Sequence, residues 1–115
     1  MHEVSIAQSL LDTAVRECRE RGFQRIESIT VRIGRASGVL PEALLFAFDA
    51  LKEQTLARGA ALLIDEVPLT GACRACGGRF TVEEKYILQC PLCEGTSYDI
   101  LTGRELDIVE MEVDE

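Results

Sequence analysis

Cys73-Arg74-Ala75-Cys76 and Cys90-Pro91-Leu92-Cys93 form two Cys-x2-Cys pairs with thirteen residues between them. A two-residue gap lets both sulfurs of a pair turn toward one point. Two such pairs supply the closed tetrahedral set of soft ligands that structural Zn2+ prefers. Disulfides and a redox dithiol are the competing readings. Disulfides belong to oxidising compartments, and a redox pair needs a helix N-terminus and a lowered thiol pKa. Two equivalent pairs bounded by Gly and Pro favour zinc. A four-sulfur site keeps no open position, so this metal would hold structure and do no chemistry. Cys18, the fifth cysteine, lies on an apolar helical stripe and reads as a small core residue, not a ligand.

A second candidate lies at Met1-His2-Glu3, where His2 is the only histidine. A terminal amine, an imidazole and adjacent backbone amides can wrap a metal through short chelate rings. With the amides deprotonated, the set is planar and all nitrogen, a geometry favoured by Ni(II) and Cu(II). Zn2+ gains little from such a plane. Glu3 could add a carboxylate or orient the imidazole. A large residue at position 2 tends to preserve the initiator methionine, so the amine is expected to be that of Met1. A histidine near a chain start is more often incidental, so the tripeptide alone does not decide. A lone histidine also offers no triad, and no enzyme is expected from it.

Charge narrows the partners. Twenty acidic residues against twelve basic ones give a formal net charge of -8. A Zn(Cys)4 site would add about two more negative charges. The runner-up reading is a zinc-ribbon module that binds nucleic acid or a transcription complex, and it requires a basic surface. Around the cysteines, Arg74, Arg79, Lys85 and Arg104 are balanced by Glu83, Glu84, Glu94 and Asp99. No nucleic-acid partner is expected. No apolar run approaches membrane-spanning length, so no membrane partner is expected either. The first residues lack the layout of a secretory signal, which predicts a cytoplasmic chain with reduced cysteines.

These ligands need elements to hold them. Val4, Ala7, Leu11, Ala14 and Cys18 recur at helical spacing up to about Arg21, with Leu10 and Val15 widening the stripe and Gly22 as the stop. Ile29, Val31 and Ile33 alternate with polar residues as a half-buried strand. Pro41 opens a second helix with Leu44, Leu45, Phe48, Leu51 and Leu56 on its apolar face, running to Arg58 and Gly59. Ala61 to Val67 reads as a second strand, parallel to the first across a right-handed crossover. Glu105 to Val113 supplies a third strand, with a phase change that suggests a bulge. The expected fold class is α+β: a small three-stranded sheet with two helices, plus an inserted zinc-ribbon module. Residues 1–69 and 104–115 would form the first domain and 70–103 the ribbon insert. Thr70-Gly71-Ala72 and Thr102-Gly103-Arg104 would be its hinges, with short strands at Arg79–Val82 and Tyr86–Gln89.

Met-His-Glu at the start, a helix, a strand ending in Ile33-Gly34 and a late double Cys-x2-Cys together resemble the HypA/HybF family. These are nickel-insertion accessory proteins for [NiFe]-hydrogenase maturation, and the resemblance covers essentially the whole chain. It implies a nickel metallochaperone, not an enzyme. It also implies that Met1, His2 and Glu3 bind Ni(II) as transferred cargo and that Cys73, Cys76, Cys90 and Cys93 bind structural zinc. The implied partners are a nickel-binding maturation GTPase and the hydrogenase large subunit. Some members also serve urease, which adds urease accessory proteins.

Overall fold

The computed structural model describes residues 3–114. Helix α1 spans Glu3–Glu20 and buries Ala7, Leu10, Leu11, Ala14 and Cys18. Its apolar stripe begins one turn later than the sequence suggested, since Val4 is 61% exposed. The helix closes with Phe23 N–H donating to Cys18 O and Gly22 N–H to Arg19 O, at 3.0 and 3.1 Å. This pair of crossed bonds satisfies carbonyls that the last turn leaves open.

Strand β1 (Arg25–Gly34) runs between β2 (Ala61–Val67) and β6 (Leu106–Asp114). Gln24 N–H bonds to Asp114 O and Gly34 N–H to Glu105 O, so β1 and β6 are antiparallel. Ile26 N–H reaches Leu56 O just before β2, while Arg32 pairs with Asp65 near the end of β2. Strands β1 and β2 therefore run in the same direction, as the intervening helix led one to expect. In β6, Leu106 and Ile108 are half-buried, then Met111 and Val113, with Val109 and Glu110 exposed between them. The burial alternation thus shifts phase at Val109–Glu110, where the sequence does.

Helix α2 (Pro41–Leu51) packs on α1 and buries Leu44, Ala47 and Phe48. It is shorter than the predicted helix to Arg58. A single 3-10 turn, Lys52–Gln54, follows, and Thr55 leaves the helix with φ -126° and ψ 173°. The Thr55 hydroxyl donates to Lys52 O at 2.8 Å and accepts from Ala57 N–H at 3.0 Å. Local side-chain bonding of this kind competes with the helical ladder. The Lys52 ammonium bonds to Ala60 O at 2.8 Å and sits over the Phe48 ring.

A second three-stranded sheet has β3 (Leu69–Cys73) in the middle, between β4 (Arg79–Val82) and β5 (Tyr98–Thr102). Both pairings are antiparallel. Thr70-Gly71-Ala72 is therefore the hydrogen-bonded centre of a sheet, not a hinge. The expected strand at Tyr86–Gln89 does not form. Ile87 is buried in the local core, and the Tyr98 hydroxyl takes its carbonyl at 2.7 Å where a ladder partner would sit.

The chain divides into two compact units. One comprises the chain up to Arg32, Val39–Asp65 and the stretch from Asp107 on; the other comprises Ile33–Gly38 and Glu66–Leu106. Within the second unit, Ala36 N–H donates to Gly103 O at 2.7 Å and Gly103 N–H to Glu105 Oε1 at 2.8 Å. A Cβ on Gly34 would fall 2.1 Å from the Gly103 carbonyl carbon, so only glycine permits this backbone approach.

Candidate metal centre

The sulfurs of Cys73, Cys76, Cys90 and Cys93 all lie within 4.8 Å of one another. Cys73 faces Cys93 at 3.5 Å and Cys76 faces Cys90 at 3.8 Å. Sulfurs at about 2.3 Å from a tetrahedral Zn2+ would stand about 3.8 Å apart. The donor set and its spacing therefore fit that ion.

Two copies of one backbone turn produce this cluster. In the first, Gly77 N–H bonds to Cys73 O and Cys73 N–H to Gly78 O. In the second, Glu94 N–H bonds to Cys90 O and Cys90 N–H to Gly95 O. An amide also points at the leading sulfur of each turn: Cys76 N–H at Cys73 Sγ and Leu92 N–H at Cys90 Sγ, both at 3.4 Å. The fifth position of each copy is left-handed, at φ 74° for Gly77 and 64° for Glu94. Glu94 is the one non-glycine residue with positive φ among the described residues. The leading cysteine of each pair is buried and the trailing one exposed.

That burial alternation ties the site to a core. Cys73 and Cys90 belong to an apolar cluster with Leu69, Phe80 and Ile87, flanked by Ala36, Val82, Tyr98 and Ile100. Phe80 meets Tyr98 edge-on, with ring centroids 6.5 Å apart. The sheet thus fixes the Cα of Cys73, the apolar cluster anchors Cys90, and each turn brings its partner round.

The thiols do not ionise alike. Cys73 is lowered to about 6, first by the Cys76 N–H, with the Ala75 N–H and the Cys93 and Cys76 thiols adding to it against burial. Cys93 is pushed up to about 12: the Gly95 N–H would lower it, but the other three thiols and burial outweigh that bond. The two directions have one cause. The first negative charge settles on Cys73, and each further thiolate beside it costs more. A divalent cation at the centre removes that penalty and deprotonates its ligands.

Sequence reasoning missed the neighbours of the cluster. The Arg74 guanidinium forms a two-pronged pair with the Asp99 carboxylate, one contact at 3.1 Å through Nε. Asp99 raises the Arg74 pKa, and Arg74 lowers that of Asp99. The pair ties the first turn to β5. The signal for the turns themselves was present: Cys76-Gly77-Gly78 and Cys93-Glu94-Gly95 repeat after each pair.

Of the second set, Met1 and His2 lie outside the described residues. Glu3 opens α1, and its Oε2 accepts the Leu40 N–H at 3.0 Å.

A profile of the family described as "Hydrogenase/urease nickel incorporation, metallochaperone, hypA" matches residues 1–113. The chain is 44% identical over 109 residues to the hydrogenase maturation factor HypA of Geotalea daltonii, covering 94% of each. It is 41% identical over 113 residues to that of a Picosynechococcus species, covering 98% of this chain and 99% of the relative. A solution structure of the Ni metallochaperone HypA from Helicobacter pylori shares the fold with a TM-score of 0.69 at 24% identity, over 99% of this chain and 98% of that one.

Proposed function

Because this chain belongs to the HypA family, described as hydrogenase/urease nickel-incorporation metallochaperones, we propose that it carries Ni(II) to a hydrogenase during maturation. It takes the ion at Met1, His2 and Glu3 and releases it to the apo-enzyme. It acts by binding and release and carries out no catalysis. The observation that carries the reading is the family match from residue 1 through residue 113, which takes in both ligand sets. The cysteine cluster supports it by elimination. Four converging sulfurs complete a tetrahedral ion, so a metal there stays resident and the cargo needs another address.

Zn2+ at Cys73, Cys76, Cys90 and Cys93 would supply folding free energy to the second unit and no reaction. Cargo exchange suits a solvent-reachable chelate of amine, imidazole and amide nitrogens. The receiving partners would be a nickel-binding GTPase and the hydrogenase large subunit, in the cytoplasm. Nucleic acid is not among them: Arg74, the basic residue in the first turn, is taken up by Asp99.

The test is equilibrium Ni(II) binding with zinc analysis on untagged protein. His2→Ala should abolish nickel binding and leave zinc content unchanged. One or two residues added before Met1 should weaken nickel, because the amine leaves its chelate ring. Full nickel affinity in both variants would sink the N-terminal assignment.

A further inference from the structure

We propose that a cleft between β4 and the second cysteine turn docks a segment of another protein in which an apolar side chain stands beside lysine or arginine. The inference goes beyond the nickel reading and does not depend on it.

Residues 83–89 join β4 to the second turn without a helix or strand. Ile87 fixes their course. Its side chain is buried with Leu69, Phe80 and the leading cysteines, and its carbonyl accepts the Tyr98 hydroxyl at 2.7 Å. Its neighbours Tyr86 and Leu88 are left outside, 61% and 76% exposed. A single exposed leucine is ordinary on a protein surface. Here both side chains line one cleft of about 320 Å3, with Val82, Glu84, Gln89 and Pro91 as its other walls. That volume lies at the low end of ligand pockets and suits a partner's side chain better than a cofactor. The Tyr86 hydroxyl makes no hydrogen bond among the described residues. An exposed tyrosine of this kind offers apolar area and a polar tip together, which is why the residue is frequent at interfaces.

Charge selects the partner. Glu83, Glu84 and Lys85 are exposed, and none makes an ion pair among the described residues. Cys90 stands between the cleft residues Gln89 and Pro91. Four thiolates around Zn2+ would add about two negative charges there. The local balance is negative, so nucleic acid and anionic lipid are repelled. A second copy would set two such rims, each on a chain of net charge -8, against one another. A cationic segment is attracted. Its apolar side chain would take the cleft, and its lysine or arginine would face Glu83 and Glu84. Ile87 is anchored by its side chain and its carbonyl, so little ordering cost falls on this side of the contact.

The experiment titrates zinc-loaded, full-length, isotope-labelled protein with acetyl-Lys-Leu-Lys-Leu-Lys-amide and follows its amide resonances. Two comparators replace every lysine by glutamate or every leucine by serine. The lysine–leucine peptide should shift Glu84, Tyr86 and Leu88 and weaken as salt is raised. Leu88→Ser should reduce its affinity by about tenfold, as for a lost buried leucine. Glu84→Gln should reduce it by about threefold, as for one exposed ion pair. Zinc content should be unchanged in both variants. No shift at those three residues with the lysine–leucine peptide would overturn the proposal. Equal binding of the glutamate peptide would remove the charge selection, and equal binding of the serine peptide would remove the apolar anchor; either result overturns it too. If Leu88→Ser loses zinc, Tyr86→Ser replaces it, and undiminished affinity there counts against the proposal in the same way. Shifts of Tyr86 and Leu88 that grow with protein concentration alone would give the cleft to a second copy instead.

Discussion

In the cysteine unit, backbone hydrogen bonds draw the sulfurs of each pair together. Each turn repeats the same bonds, and each leading cysteine is anchored in a core of Leu69, Phe80 and Ile87. At the other end of the chain, Glu3 opens α1 and its Oε2 accepts the Leu40 N–H. A cluster of soft ligands built into the fold would hold its metal through the same contacts that hold the fold. A terminal chelate spends little of the fold on its ion and gives it up readily. The contrast fits the proposed division between a resident metal and a cargo.

Removing a sulfur should break this contrast most severely. Structural zinc contributes on the order of 10 kcal/mol to the folding of small metal-bound modules. Cys73→Ala is expected to lose zinc and to unfold β3–β5, while α1, α2 and β1 keep their protection. Metal analysis with residue-resolved hydrogen exchange checks this. Uniform loss of protection over the whole chain would show that the two units do not unfold separately.

Gly34→Ala should come next. The added Cβ meets the Gly103 backbone at 2.1 Å, and forced overpacking of this kind costs about 3 kcal/mol. The second unit should melt at lower denaturant, and Ni(II) affinity should hold. A parallel fall in nickel affinity would tie the N-terminal chelate to that crossing.

Acid should separate the two metals in a fixed order. The terminal amine and imidazole bind metal only when deprotonated, and their ordinary pKa values are about 7.8 and 6.5. Between pH 7.5 and 6.0, proton competition at the amine and imidazole alone should weaken Ni(II) by on the order of a hundredfold, and each amide that deprotonates on binding adds about a further thirtyfold. The zinc thiolates also compete with protons. The amide at Cys73, however, holds that thiol down to about 6, so its share of the ligand set survives to lower pH. Titrating both metals on one sample gives the order, and zinc leaving before nickel would contradict it.

The smallest effect sharpens the comparison within the cluster. Gly77 and Glu94 occupy equivalent left-handed positions. Gly77→Ala should cost about 1 kcal/mol, and Glu94→Gly should stabilise by up to about 1 kcal/mol, since a side chain is strained at such φ. Thermal unfolding of the two variants checks the opposite signs. Equal signs would mean that the two turns are not equivalent under load.

Much of this was legible in the sequence because the signals are local. The Cys-x2-Cys spacing, the helical stripe of α1, Pro41 at the first turn of α2 and the β-branched alternation of β1 each lie within one element. The errors arose where distant groups decide. Tyr86 to Gln89 alternates like a strand, but the hydroxyl of Tyr98 takes the Ile87 carbonyl. The length of α2 turned on Thr55, whose hydroxyl redirects the chain. The Glu3–Leu40 bond left no trace in any window, because its partners belong to different helices.

The Gly34–Gly103 crossing has a consequence for the order in which the protein assembles. Ala36 and Gly103 are separated by more than half of the chain, and their bond cannot form until both have been synthesised. Contacts of such separation close slowly. The two cysteine turns are complete as soon as Gly95 has emerged, several residues before Gly103. Metal capture can therefore precede the closure of the unit that surrounds it. The early ion would then act as a nucleus on which Ile33–Gly38, made long before, is finally gathered in.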